Sequence, residues 1–83
     1  MIKSATLHKF TRILYLLNKL DRGRITLTQE AKELGFSVRT LQRDLHEIER
    51  TGFPLVALSV GIYSFAEGFS LSNLKVLGDH LYL

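Results

Sequence analysis

The most informative segment of the chain is Ser37-Val38-Arg39-Thr40-Leu41-Gln42-Arg43-Asp44-Leu45-His46-Glu47-Ile48-Glu49-Arg50-Thr51-Gly52. Its apolar residues recur every three or four positions, which predicts a helix with one buried side. They are Val38, Leu41, Leu45 and Ile48. Ser37 is suited to the N-cap, because its hydroxyl can accept a hydrogen bond from a first-turn backbone N–H. Gly52 is suited to the left-handed conformation that ends a helix.

The opposite side of this helix is predicted to be basic. At about 100° per residue, the basic side chains fall together, away from the apolar side. They are Arg39, Arg43, His46 and Arg50, with Thr40 and Gln42 beside the first two. Such a helix suits a nucleic-acid groove. A merely solvated surface is the alternative, because Asp44, Glu47 and Glu49 dilute the positive charge, and the flanking sequence has to decide between the two.

A first helix is predicted over residues 4–20. Its apolar side is expected to consist of Leu7, Phe10, Ile13, Leu14, Leu17 and Leu20, with Lys9, Arg12 and Lys19 lying off it. Gly23 lies in a charged turn that ends the helix. Residues 24–26 are too few for a free strand but long enough to add an edge to a small sheet.

The next segment predicts a second, short helix that ends at Leu34. Thr26 and Gln29 have the spacing of a capping box, with Thr26 at the N-cap and Gln29 at N3. Leu27, Ala31 and Leu34 are expected to face inward, and Gly35 to end the helix. Phe36 is expected to fill the core between this helix and the next one.

Two capped helices joined by a tight glycine turn are typical of a helix-turn-helix. In that geometry the later of the two helices, here the one that follows Ser37, exposes its N-terminal half to DNA. Arg39, Thr40 and Arg43 lie in that half. The spacing, the caps and the charge therefore favour DNA binding over a solvated surface.

The sequence after Gly52 is rich in β-forming residues. Pro54 disfavours helix in the residue before it, and residues 55–59 and 62–65 read as two strands joined by Val60-Gly61. A hairpin directly after the helix that ends at Gly52 would be a wing, and it would pair with the short strand near Ile25. Ser72 is suited to cap a last helix with an apolar side, although Gly78 weakens it. The apolar residues are Leu71, Leu74, Leu77 and Leu81.

The predicted fold class is α+β, mainly α: a winged helix-turn-helix with a three-helix core, a short hairpin wing and a C-terminal helix. Residues 1–70 are expected to form the DNA-binding domain. Residues 71–83 are expected to form a C-terminal helix or tail that folds onto this domain, pairs with a second copy or connects to more protein. A chain of 83 residues has room for one small domain.

Composition excludes several other classes of protein. The chain has no cysteine, so disulfides and thiolate metal sites are absent, and its three histidines lack metal-ligand spacing. We expect no metal and no cofactor. No apolar run reaches the roughly 18 residues of a membrane span, so we expect a soluble, cytoplasmic protein. Residues 1–52 carry a net charge of +4 and residues 53–83 a net charge of −1, which favours an anionic partner for the first part.

Catalysis has little support from the sequence. No phosphate-binding glycine loop, nucleophile elbow or metal motif is present. Asp44, His46 and Glu47 are close in sequence, but residues 46 and 47 do not face each other on a helix. Ser37 is better explained as a cap than as a nucleophile. We expect no enzyme activity and no catalytic residue.

Several motifs resemble those of a known family. They are Gly23-Arg24-Ile25-Thr26, Glu33-Leu34-Gly35-Phe36-Ser37, Arg39-Thr40-Leu41-Gln42-Arg43-Asp44-Leu45, Ile48-Glu49-Arg50-Thr51-Gly52-Phe53-Pro54-Leu55, Gly61-Ile62-Tyr63 and Gly68-Phe69-Ser70-Leu71. The chain resembles, over residues 6–74, the N-terminal DeoR-like winged helix of the WYL-domain transcriptional regulators. The resemblance implies that residues 38–51 form the recognition helix, with Ser37, Arg39, Thr40 and Arg43 at the DNA.

Two features depart from that family. Its wing is usually longer, rich in glycine and often basic, whereas residues 55–65 here contain no Lys or Arg. Backbone N–H groups, Ser59 or Tyr63 would then have to replace cations at phosphate. The ligand-sensing WYL domain is also missing from this sequence, and we therefore expect either an excised domain or a short relative.

The sequence thus predicts a sequence-specific regulator that binds double-stranded DNA. Arg39 and Arg43 are expected to read bases, since arginine binds guanine in bidentate fashion, and Ser37 and Thr40 to contact phosphate. The further expected DNA contacts are Gln42, Arg24, Thr26 and, more weakly, Arg50. A homodimer through the C-terminal tail is a further expectation. The alternative is a winged helix that associates with protein through its uncharged wing and apolar tail.

Overall fold

The computed structural model describes residues 5–72, and in this range the chain forms three helices and three short strands. Their order is α1 (Ala5–Arg22), β1 (Ile25–Thr26), α2 (Leu27–Leu34), α3 (Val38–Thr51), β2 (Leu55–Ser59) and β3 (Ile62–Phe65). The predicted order of elements over these residues is confirmed. The part of the predicted tail from residue 73 onward lies outside the described residues.

The three strands form one antiparallel sheet in the order β1-β3-β2. Ile25 pairs with Tyr63, and Leu55 pairs with Phe65. The backbone N–H of Leu27, at the start of α2, donates to the carbonyl of Gly61 in the hairpin turn over 2.8 Å. The hairpin is therefore joined to the helices at its turn as well as through β1, and the fold is a winged helix-turn-helix.

The core lies between the helices and the inner end of the sheet. Its buried apolar residues are Leu16, Leu20, Ile25, Leu27, Ala31, Leu41, Leu45, Ile48 and Phe65. Helix α3 buries Leu41, Leu45 and Ile48, and Val38 packs against them half-buried. This is the apolar side predicted from the spacing, so the basic side of α3 faces outward.

The predicted apolar side of α1 is partly wrong. Phe10 is 59% exposed and Leu14 is 43% exposed, whereas Leu16, which the prediction left out, is fully buried. Leu16 lies on the side of α1 that faces α3, and the buried ion pair of Arg12 with Asp44 lies on the same side. This buried charged contact thus overrides the side of α1 that is richest in leucine and phenylalanine.

The predicted capping box of α2 is also wrong. Thr26 occupies the N-cap, but within the described residues its side chain makes no capping hydrogen bond. The pairing of Thr26 with Ile62 in the sheet, rather than a side-chain cap, holds the chain at the start of α2. Phe36 does not fill the core either: it is exposed, and the guanidinium of Arg12 lies 4.5 Å from its ring centroid.

Three phenylalanines close the base of the wing. The rings of Phe53 and Phe65 stack with centroids 6.0 Å apart. The ring of Phe69 makes T-shaped contacts with both, with centroid distances of 6.2 Å to Phe53 and 5.0 Å to Phe65. The N–H of Leu71 donates to the Asp21 carboxylate over 2.8 Å. These contacts fix the chain after the wing against the C-terminal end of α1.

A buried ion pair joins α1 to α3. Arg12 donates two hydrogen bonds to Asp44, one from Nε to Oδ2 and one from Nη2 to Oδ1, the second 3.0 Å long. The side chains are only 10% and 2% exposed. The hydrogen bond to Asp44 raises the pKa of Arg12. A carboxylate this deeply buried is tolerated only while its partner is present.

We expect Arg12→Ala to lower the free energy of unfolding by about 3 kcal/mol, because it leaves the Asp44 charge buried and unpaired. Urea denaturation followed by circular dichroism measures this loss. The double substitution Arg12→Met with Asp44→Leu should recover most of the stability, since no charge then remains inside. A loss under about 1 kcal/mol, as for an exposed ion pair, would contradict a stabilising role for this pair.

Candidate nucleic-acid interface

The outer side of α3 carries the basic cluster that we call the recognition face. It consists of Arg39, Gln42, Arg43, His46, Glu47 and Arg50, which together line one shallow surface. All of them except the half-buried Glu47 are exposed. The three guanidinium groups thus point away from the apolar side of a helix that is packed into the core along its length.

The first turn of α3 is fixed by its N-cap. The Oγ of Ser37 accepts a hydrogen bond from the backbone N–H of Thr40 over 3.1 Å. The two hydroxyl groups, Ser37 Oγ and Thr40 Oγ1, are 3.0 Å apart. Since a helix N-terminus favours anions, this turn presents two hydroxyls beside a positive dipole end, a good arrangement for a phosphate.

The turn between α2 and α3 is short and tightly bonded. Gly35 has a φ of 77° and donates its N–H to the carbonyl of Ala31 over 2.9 Å. A side chain in this left-handed conformation would be strained, which explains glycine here. The structure therefore brings α2 and α3 together as a helix-turn-helix.

The other two predicted site residues lie apart from α3. Arg24 is exposed, immediately before β1, and Thr26 is half-buried within β1, at the start of α2. Ser37, Arg39, Thr40, Gln42, Arg43 and Arg50, by contrast, all belong to α3 or its cap. The predicted residues thus form one group on α3 and a smaller one at the beginning of α2.

Sequence reasoning missed a basic residue of α1 that lies beside the recognition face. Lys9 of α1 donates to Glu47 of α3, with Nζ 2.9 Å from Oε2. Lys9 and Glu47 line a cleft between the two helices together with Arg12, Thr40, Arg43 and Asp44. A signal was present: the cations at 9 and 12 and the carboxylates at 44 and 47 share the same three-residue spacing.

The cations near Glu47 keep it ionised. The hydrogen bond from Lys9 lowers the pKa of Glu47, and the charges of Lys9 and Arg50 act in the same direction. A carboxylate therefore lies at the border between the recognition face and the cleft beside α1. Its charge is offset by the neighbouring ammonium.

The wing offers apolar rather than charged surface. Val56 and Leu58 on β2 are exposed, and Val60 at the hairpin turn is fully exposed. A groove of about 230 Å³ separates the wing from α3 and is lined by Gln42, Leu45, His46, Glu49, Leu55, Ala57 and Tyr63. Any contact that the wing makes with an anion therefore depends on backbone N–H or hydroxyl groups.

A family model described as an HTH domain matches residues 11–62. The chain belongs to this helix-turn-helix family. The matched residues include the whole of β1, α2, α3 and β2, and helix-turn-helix domains of this kind are the DNA-binding parts of regulators. No curated protein matches the chain, and no solved structure does. Over residues 5–72, this HTH domain contains no helix with the length and apolarity needed to cross a membrane.

Because Ser37 caps α3 of the HTH domain, we expect Ser37→Ala to lower the free energy of unfolding by about 1 kcal/mol. Thermal denaturation should show this as a fall of about 4–8 °C in Tm. Ser37→Gly is the matched variant and should cost only about a few tenths of a kcal/mol. Equal losses in both variants would mean that the hydroxyl contributes through something other than capping.

Proposed function

We propose that this HTH domain binds double-stranded DNA in a sequence-specific manner, as the DNA-reading domain of a prokaryotic-type transcription regulator. One observation carries the proposal. The recognition face presents three exposed arginines on a helix whose other side is anchored in the core. A rigid, cationic helix of this width fits the major groove of B-DNA.

Arg39 and Arg43 are the proposed base-reading residues. They lie one helical turn apart on the same side of α3, in the half of the helix that a helix-turn-helix inserts into the groove. A guanidinium can bind guanine O6 and N7 with two hydrogen bonds, and the amide of Gln42 has the matching geometry for adenine. The three side chains together provide sequence recognition.

The remaining proposed contacts are to the DNA backbone. Ser37 and Thr40 lie at the N-terminus of α3, where the helix dipole and the two hydroxyls favour phosphate. Arg24 and Thr26 precede α2 and would hold the strand that crosses that helix. Arg50 lies in the last turn of α3 and is the weaker phosphate ligand.

The proposal extends to the kind of regulator. The motif from Arg39 to Leu45 resembles that of the WYL-domain regulators with DeoR-like winged helices, and in this structure it forms the first two turns of α3. A cytoplasmic protein that acts as a homodimer fits this assignment. The proposed dimer contact, residues 71–83, stays a prediction, because most of it lies outside the described residues.

Protein association is the second candidate function, and one observation favours it. Val56, Leu58 and Val60 expose an apolar strip on the uncharged wing, and Phe10 and Leu14 expose another on α1. A winged helix that used these surfaces would not need its arginines. Salt dependence separates the two functions, since binding to phosphates releases counterions and apolar association does not.

We expect the affinity for duplexes selected from a random pool to fall steeply between about 50 and 200 mM salt. Arg43→Ala should cost about 1–3 kcal/mol of binding free energy and relax specificity at one base pair. Fluorescence anisotropy with the selected duplex and its single-base variants measures both effects. Arg22→Ala, which removes an exposed cation at the end of α1, is the control and should leave specificity unchanged.

Two results would count against this function. Weak binding that does not respond to salt would favour protein association. An equal loss on all sequences for Arg43→Ala would make Arg43 a phosphate contact rather than a base-reading residue.

A further inference from the structure

The ion pair between Lys9 and Glu47 lies where α1 borders the recognition face. Glu47 lines both the recognition face and the cleft between α1 and α3, and Lys9 lines that cleft with Thr40 and Arg43. A DNA strand that passed over Thr40 and Arg43 would therefore pass close to the Lys9 ammonium. The sequence of α3 alone does not indicate that Lys9 has a role in DNA binding.

We propose that Lys9 is a further phosphate ligand of the DNA interface, and that Glu47 holds it in place until DNA arrives. On binding, the ammonium exchanges the Glu47 carboxylate for a phosphate oxygen of the DNA backbone. The inference rests on the proposed function and adds a contact from α1 to those of α2 and α3. Glu47 then serves as an internal substitute for phosphate.

The exposure of the pair permits such an exchange. The side chains of Lys9 and Glu47 are 44% and 45% exposed. An ion pair this open to water contributes little to folding, so breaking it costs little. The neighbouring pair, Arg12 with Asp44, differs in this respect because it is buried and bidentate. One of the two α1–α3 ion pairs thus holds the helices together, while the other is free to rearrange.

The exchange also accounts for a carboxylate on a surface that faces an anion. An ionised Glu47 on the recognition face would repel the DNA backbone, yet the structure keeps it charged beside Lys9 and Arg50. While DNA is absent, the carboxylate holds the flexible lysine side chain near the position where it is needed. That lowers the entropy lost when the ammonium binds phosphate.

The deciding experiment compares the wild-type chain with the double variant Lys9→Ala/Glu47→Gln, which has the same net charge. The slope of log affinity against log salt should become shallower by about 0.9, as expected for one lost phosphate contact, and the duplex should bind more weakly. Lys9→Arg should retain the wild-type slope. The matched control is Arg22→Ala/Glu67→Gln, which removes one cation and one carboxylate from exposed positions that line neither the recognition face nor the cleft beside α1, and should leave the slope unchanged.

The outcomes separate this inference from the function on which it rests. A wild-type slope in the double variant would mean that the pair only braces α1 against α3, and would overturn the exchange while leaving DNA binding intact. Wild-type protein without salt-dependent duplex binding would overturn both. Circular dichroism and Tm are to be measured for each variant, so that a shallower slope is interpreted only for a folded protein.

Discussion

The bidentate contact of Arg12 with Asp44 is the constraint on which the interface depends. Asp44 is buried on the inner side of α3, and its neighbour Arg43 projects about 100° away, onto the recognition face. Apolar packing alone lets a helix roll by small amounts, because leucine side chains have no directional bonds. Two hydrogen bonds between a planar guanidinium and a carboxylate remove that freedom. The same contact that joins α1 to α3 therefore sets the direction of the arginines.

Much of the fold could be predicted because its signals are local. The apolar spacing of α3, its serine cap and its terminal glycine lie within one segment, and the wing is defined by two β-rich runs around a glycine turn. The roll of α1 could not be predicted in the same way. It is decided by Asp44 on α3, which lies 32 positions from Arg12 in sequence, whereas periodicity within α1 points to the leucine-rich side instead.

The candidate site shows the same difference between residues that local signals predict and residues that depend on tertiary contacts. A helical wheel is enough to place Arg39, Arg43 and Arg50 on one side of α3, so their exposure follows from the sequence. The position of Lys9 beside this face cannot be predicted without knowing which side of α1 meets α3. The start of α2 is also fixed by non-local contacts, since Thr26 pairs with Ile62 in the sheet and the Gly61 carbonyl of the wing accepts the N–H of Leu27. Local rules fail here because strand pairing, rather than a side-chain cap, holds Thr26.

In this HTH domain the wing and the helices have different roles, because the wing carries no charged side chain. Gly61 ties the wing to the start of α2, and the cluster of Phe53, Phe65 and Phe69 ties its base to the helices. Both contacts stabilise the position of the helix-turn-helix, and neither requires a cation. Because residues 55–65 contain no Lys or Arg, electrostatic attraction to an anion must come from the helices. The wing therefore stabilises the positions of α2 and α3, while the charged side chains of the helices make the proposed contacts with DNA.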